Sequence, residues 1–203
     1  MQTSLTQADV QTSVHAISIS FSRLGAPTLQ ISCEQLGWQS PWWLSSMTQI
    51  CIHFSPFLFC VEDLRISSNQ SLRNNTDSEQ WVEFIRAFGG TKDFRVAGVH
   101  VTDILYALGR ADGEHPTLLP SLRTLRVRQS GPMHGSLWEA VESFTTSRRL
   151  SGRPVELDLL CHCNTRLTQL QELKRHLVDK HSYRIMCSYC GNFECKPGYN
   201  DQF

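Results

Sequence analysis

The sequence predicts an α/β chain, a solenoid of parallel strands and helices over residues 14–160 followed by a small metal-binding module. Three observations carry this. Short alternating apolar segments recur at near-constant spacing, helix-like stretches with recognisable ends lie between them, and cysteine and histidine crowd the last 43 residues. The 203 residues are 40% hydrophobic and 19% charged, which suits one sizeable core with a small appendage. Lys+Arg and Asp+Glu both total 19, so no global field draws the protein onto nucleic acid or an anionic membrane, and any such binding is local.

The strand-like units are taken in order. TLQISC, with Leu29 and Ile31, comes first. VEDLRIS (Leu64, Ile66), KDFRVAG (Phe94, Val96), LRTLRVR (Leu125, Val127) and VELDLL (Leu157, Leu159) follow, in steps of 30, 31 and 32 residues. Near-constant spacing of such units is the sequence mark of a stacked solenoid. Side chains alternate along a strand, so Leu125 and Val127 are expected to face the core and Arg126 and Arg128 to face outward.

Three helical stretches connect them. No charged residue occurs from Gln35 to Val61, a run long enough to raise a membrane span. Ser45, Ser46, Thr48, Gln49 and His53 interrupt it, Pro56 is a helix breaker, and no basic flank follows, so it reads as a buried amphipathic helix plus loop. In SEQWVEFIRAFGG, Trp81, Ile85 and Phe88 recur at helical spacing, and Gly89 is the expected C-terminal cap. In SLWEAVESFTTSRR, Ser136 and Glu139 make a capping-box pattern, Leu137, Val141 and Phe144 an apolar stripe, and Arg148 and Arg149 complement the negative helix end. Strands alternating with helices imply a parallel sheet backed by helices.

The phrases VEDLRIS and LPSLRTLRV, with SLWEAVESFTTSRRLSGRPVEL closing the array, resemble the irregular leucine-rich-repeat region of fungal F-box-type proteins. The resemblance covers residues 14–160. It implies a leucine-rich-repeat-like solenoid with a partner-binding face, whereas recruitment of the ubiquitin-ligase core belongs in that family to a separate F-box helix bundle. No F-box-like segment is visible in the sequence, and its opening residues read as entering an array already under way.

After the array comes CHCNTRLTQLQELKRHLVDKH, residues 161–181. From Cys163 the spacing is C-x(12)-H-x(4)-H, as in a zinc finger of the two-Cys/two-His type, with Leu167 and Leu173 at the apolar positions. Thr168 and Gln171 form a capping box, and Leu170, Leu173 and Leu177 line one helical face. Thiolate and neutral imidazole suit Zn2+, so Cys161, Cys163, His176 and His181 are the expected ligands. Only His162 separates the two cysteines, which tightens the knuckle.

Residues 182–203 carry a second knuckle, Cys187 and Cys190, with no histidine after it. Either this is a second finger cut short, or Cys187 and Cys190 join Cys161 and Cys163 in one four-thiolate site. The histidine pair already completes the first set, which favours the former. Cys195 reads as a free thiol.

A closed ligand set leaves no open position for water, and no P-loop, nucleophile elbow or H-E-x-x-H pattern is present, so no catalytic residues are assigned and the ion is structural. The expected function is protein interaction with an unidentified partner, without a small-molecule substrate or membrane, in an intracellular, cytoplasmic or nuclear setting. The alternative is a nucleic-acid-binding transcription regulator whose finger reads bases through Gln169, Glu172 and Arg175. Against it, residues 161–203 hold six Lys/Arg and four Asp/Glu, a small excess of positive charge.

Overall fold

The computed structural model describes residues 6–12, 16–22, 29–34, 42–68, 78–114, 118–128, 135–161 and 183–187. Their elements run β1 (Gln7–Thr12), β2 (Ala16–Ser22), β3 (Leu29–Glu34), α1 (Trp42–Leu58), β4 (Asp63–Ser68), α2 (Ser78–Arg86), β5 (Asp93–Ala97), α3 (Val101–Glu114), β6 (Thr124–Arg128), α4 (Gly135–Leu150), β7 (Glu156–Cys161) and β8 (Tyr183–Cys187). All eight strands join one sheet in the order β3-β2-β1-β4-β5-β6-β7-β8. From β4 to β8 each strand lies parallel to the next, and β1 is parallel to β4.

The four units spaced at 30 to 32 residues become β4, β5, β6 and β7, with the expected alternation. Leu64, Phe94, Leu125 and Leu157 form one fully buried lateral row, and Ile66, Val96, Val127 and Leu159 form the next. Each such side chain contributes roughly 1.5–3 kcal/mol by leaving water. Because the strands advance in one direction, right-handed crossovers set the helices on the same side of the sheet. Each helix packs against the next, α1 on α2, α2 on α3 and α3 on α4.

TLQISC departs from the expectation of a further parallel copy. It is β3, an edge strand antiparallel to β2, which is itself antiparallel to β1. Only three residues separate β1 from β2 and six separate β2 from β3. Neither link is long enough for the crossover that a parallel pair needs, so the chain turns back on itself.

The uncharged stretch forms α1, whose Leu44, Met47, Cys51 and Leu58 are buried. No helix among the described residues is long and apolar enough to cross a membrane. Pro56 does not break α1 as expected, since the helix runs through it to Leu58. In the last turn, the hydrogen bond that Pro56 cannot donate would go to Ile52, which is exposed and open to water. The unit between β5 and β6 supplies α3, whose buried Val101, Ile104, Leu105 and Leu108 were not singled out in the sequence although they keep helical spacing.

Gly89 is not the left-handed cap expected after α2. The chain leaves the helix through short-range bonds, Phe88 N–H to Ile85 O at 3.0 Å and Thr91 N–H to Phe88 O at 3.0 Å, and positive φ among described glycines occurs at Gly98 and Gly152. Gly89 and Gly90 instead allow close approach by the segment after α1. A Cβ on Gly89 would stand 2.9 Å from the Phe59 ring, and one on Gly90 would stand 1.9 Å from the Phe59 carbonyl oxygen.

Arg148 lies in the last turn of α4, as expected of a residue complementing the negative helix end, but it is buried there. It is 1% exposed, lies over the Phe144 ring at 5.4 Å, and donates to the Leu119 carbonyl at 3.3 Å and to that of Leu118. Leu119 itself has φ +50°. The guanidinium thus holds the approach to β6 against α4. Replacing Arg148 with Met keeps the apolar stem but leaves buried carbonyls without their donor. The expected loss is about 2–4 kcal/mol, read from the shift in urea unfolding midpoint at constant slope.

Candidate functional site

The helices cover one side of the sheet. The other side is polar and uncovered among the described residues, and strand register sets what it presents. Asp9, Arg65, Arg95, Arg126 and Asp158 are successive Cα partners across β1, β4, β5, β6 and β7. On the amino side runs a row of Gln7, Asp63, Asp93, Thr124 and Glu156, and on the carboxyl side a row of Gln11, Ser67, Ala97, Arg128 and Leu160.

Three arginines on neighbouring strands, about 4.8 Å apart, repel one another unless carboxylates intervene. Asp63 does so for two of them. Its Oδ2 accepts from Arg65 Nη2 at 3.0 Å and from Arg95 Nη2 at 3.4 Å, while its Oδ1 takes Arg65 Nε at 3.4 Å. Asp158 Oδ2 accepts from Arg126 Nε at 3.2 Å. The Asp63 hydrogen bond is the main cause holding the Arg65 pKa above its usual value, opposed by desolvation and helped by the nearby charges of Asp63 and Asp9.

Arg95 Nε and Asp158 Oδ1 are buried and have no hydrogen-bond partner among the described residues, so the capacity left to this row lies in its exposed guanidinium edges. The side chains of Arg65, Arg95 and Arg126 are 37%, 39% and 40% exposed, enough for their guanidinium edges to meet a second molecule. A guanidinium offers a planar fork of donors to a carboxylate, and the flanking aspartates offer acceptors to a basic or amide group. The middle of this face can therefore engage both signs of charge.

Sequence reasoning set Arg126 and Arg128 outward but did not identify the row. A signal was present, since arginine holds the same place in DLRIS, DFRVA and TLRVR. The helix side adds exposed apolar groups on or just after α1, with Ile52, Phe54, Phe57 and Phe59 all exposed. Cys51 beneath them is buried, and its thiol is pushed up to about 12 by loss of hydration, which leaves it unreactive at neutral pH.

Of the expected zinc ligands, Cys161 is the last residue of β7 and Cys187 the last of β8, and the two are Cα partners on adjacent parallel strands. Cys163, His176, His181 and Cys190 lie outside the described residues, as do Cys195 and the base-reading positions Gln169, Glu172 and Arg175. Among the described residues no group of three or more His, Cys, Asp or Glu could hold a metal ion. Buried His100 packs on Trp81 with ring centroids 5.5 Å apart, and its Nδ1 is 3.7 Å from Asp103 Oδ2 in the first turn of α3.

Comparison of the chain with protein-family models, with curated proteins and with solved structures finds no match.

Proposed function

We propose that the chain is a non-enzymatic protein-interaction scaffold that docks its partner on the open face of the sheet and carries a structural zinc site beyond β7. The observation that carries this reading is the row Asp9–Arg65–Arg95–Arg126–Asp158, displayed by five strands in register on the face that no described element covers. In-order parallel stacking of similar units supports a leucine-rich-repeat-like solenoid, and with it the resemblance to a substrate-receptor-like fragment of an F-box-type ubiquitin-ligase component. The free thiols of Cys51 and Cys60 go with an intracellular, cytoplasmic or nuclear setting.

The arginines alone would also suit phosphates. Asp9, Asp63, Asp93, Glu156 and Asp158 interleave with them, however, and carboxylates at this density repel a polyanion. Protein partners with paired acidic and basic groups fit better than duplex nucleic acid, the alternative tied to Gln169, Glu172 and Arg175.

The double variant Arg95→Glu/Arg126→Glu tests this. It reverses the centre of the row while keeping the buried rows intact, so the chain should stay folded with a loss of about 2 kcal/mol from two lost pairs and the carboxylates set side by side. Partners cross-linked to the wild-type β4–β6 face should be lost from the variant. Capture that survives the double change, or that nuclease treatment abolishes, would count against the open face as a protein-docking surface.

A further inference from the structure

We propose that the open face takes an extended segment of its protein partner, laid along β5 and β6, in which a basic side chain and then two acidic ones alternate with uncharged residues. This rests on the reading of that face as a protein-docking surface, and it specifies the charge order of the partner. Three successive levels of the β5–β6 pair define it. Asp93 lies beside Thr124, Arg95 beside Arg126, and Ala97 beside Arg128. From the amino to the carboxyl end the face therefore reads negative, positive, positive.

The levels are two strand residues apart, about 6.6 Å. An extended peptide repeats its own same-side residues at that interval, so consecutive same-side positions meet consecutive levels. Each charge finds its opposite when a Lys or Arg stands over Asp93, an Asp or Glu over Arg95 and Arg126, and a second Asp or Glu over Arg128. Either chain direction serves, because side chains alone set the order.

The pairs within the face leave these positions open. Asp63 Oδ2 takes Arg65 at 3.0 Å and Arg95 at 3.4 Å, so Arg95 has the weaker hold on it. Arg126 gives Nε to Asp158 at 3.2 Å, which leaves its two terminal nitrogens for a second molecule. Arg128 is exposed, its lateral neighbours Ala97 and Leu160 are uncharged, and residues 129–134 contain no Asp or Glu. Asp93 joins none of the ion pairs on this face among the described residues. Asp63 draws the Arg95 guanidinium toward β4, whereas Asp158 draws that of Arg126 toward β7. The two diverge, so one phosphate could gather both only by breaking a pair, and separate carboxylates fit better.

The test is fluorescence anisotropy of labelled peptides with the full chain at low ionic strength. One peptide carries Lys-Thr-Glu-Thr-Glu, and a second carries the same residues rearranged as Glu-Thr-Lys-Thr-Glu, so net charge is constant and only order differs. The matched peptide should bind about tenfold more tightly. Arg126→Gln and Arg128→Gln should each erase that preference, while Arg123→Gln should keep it, since Arg123 is exposed just before β6 and shares the alternation of Leu125. Equal binding of the two peptides, or a preference that survives both substitutions, would overturn the proposal. Tighter binding of a phosphoserine peptide without Glu would overturn it in favour of a single phosphate. Any of these results, with cross-linked capture still lost from Arg95→Glu/Arg126→Glu, leaves the docking surface standing. Equal binding together with capture that survives that double variant removes both.

Discussion

Leu125→Asp is expected to prevent folding of the array, while Arg126→Asp, one residue away, leaves it folded. Leu125 is fully buried in the row it shares with Leu64, Phe94 and Leu157. Truncating a buried leucine costs about 2–5 kcal/mol, and placing a carboxylate there adds the cost of an unpaired charge among apolar groups. Together these meet or exceed the roughly 5–15 kcal/mol that holds a domain folded. Arg126 faces the open side and bonds Asp158, so its change removes one partly exposed pair and sets like charges side by side, at about 1 kcal/mol. Far-UV circular dichroism and hydrodynamic radius measure both. Equal damage from the two substitutions would refute the strand register.

Gly98→Ala is the second large effect. Gly98 has φ +101°, a conformation that L side chains rarely adopt, and an added Cβ would stand 2.0 Å from the Ser68 carbonyl oxygen. That oxygen belongs to the backbone at the end of β4, so relief requires β4 and β5 to separate at their carboxyl ends. Gly152 provides the control. It ends α4 with φ +69°, its N–H reaching Arg149 O at 3.0 Å and that of Arg153 reaching Arg148 O at 2.9 Å, yet a Cβ there meets nothing within 4 Å. Gly152→Ala should cost about 1 kcal/mol from backbone conformation alone. Gly98→Ala should cost several times as much, and thermal unfolding of the two variants side by side distinguishes collision from strain. A similar small loss in both would mean that Ser68 yields easily.

The central strands were legible because each alternates apolar and polar residues against a helix layer, a pattern that survives without knowledge of neighbours. Leu64, Phe94, Leu125 and Leu157 announce themselves this way. The direction of β3 was less legible, since Leu29 and Ile31 alternate equally well in either orientation and only link lengths fix it. In YRIMC, Tyr183 to Cys187, the adjoining cysteine knuckles drew the reading to metal chemistry and away from an eighth strand. The arginine row depends on lateral alignment, which no single strand encodes. Arg148 looks like an ordinary helix-end cation until the carbonyls of Leu118 and Leu119 are seen beside it.

The sheet order also carries a consequence for how the chain finds its fold. Neighbours from β4 to β7 pair residues about thirty positions apart, as in Asp63 with Asp93 and Thr124 with Glu156, whereas β1 meets β4 through Gln7 and Asp63, nearly twice as far apart. Closing a loop twice as long costs only about 0.6 kcal/mol more, but that closure must precede any reward from the contacts it makes. The short-range ladder can grow strand by strand from any point within it. The β1–β2–β3 meander forms locally through its two short links and then docks as a unit on the exposed edge of β4. The seam between β1 and β4 is thus the natural late step of assembly.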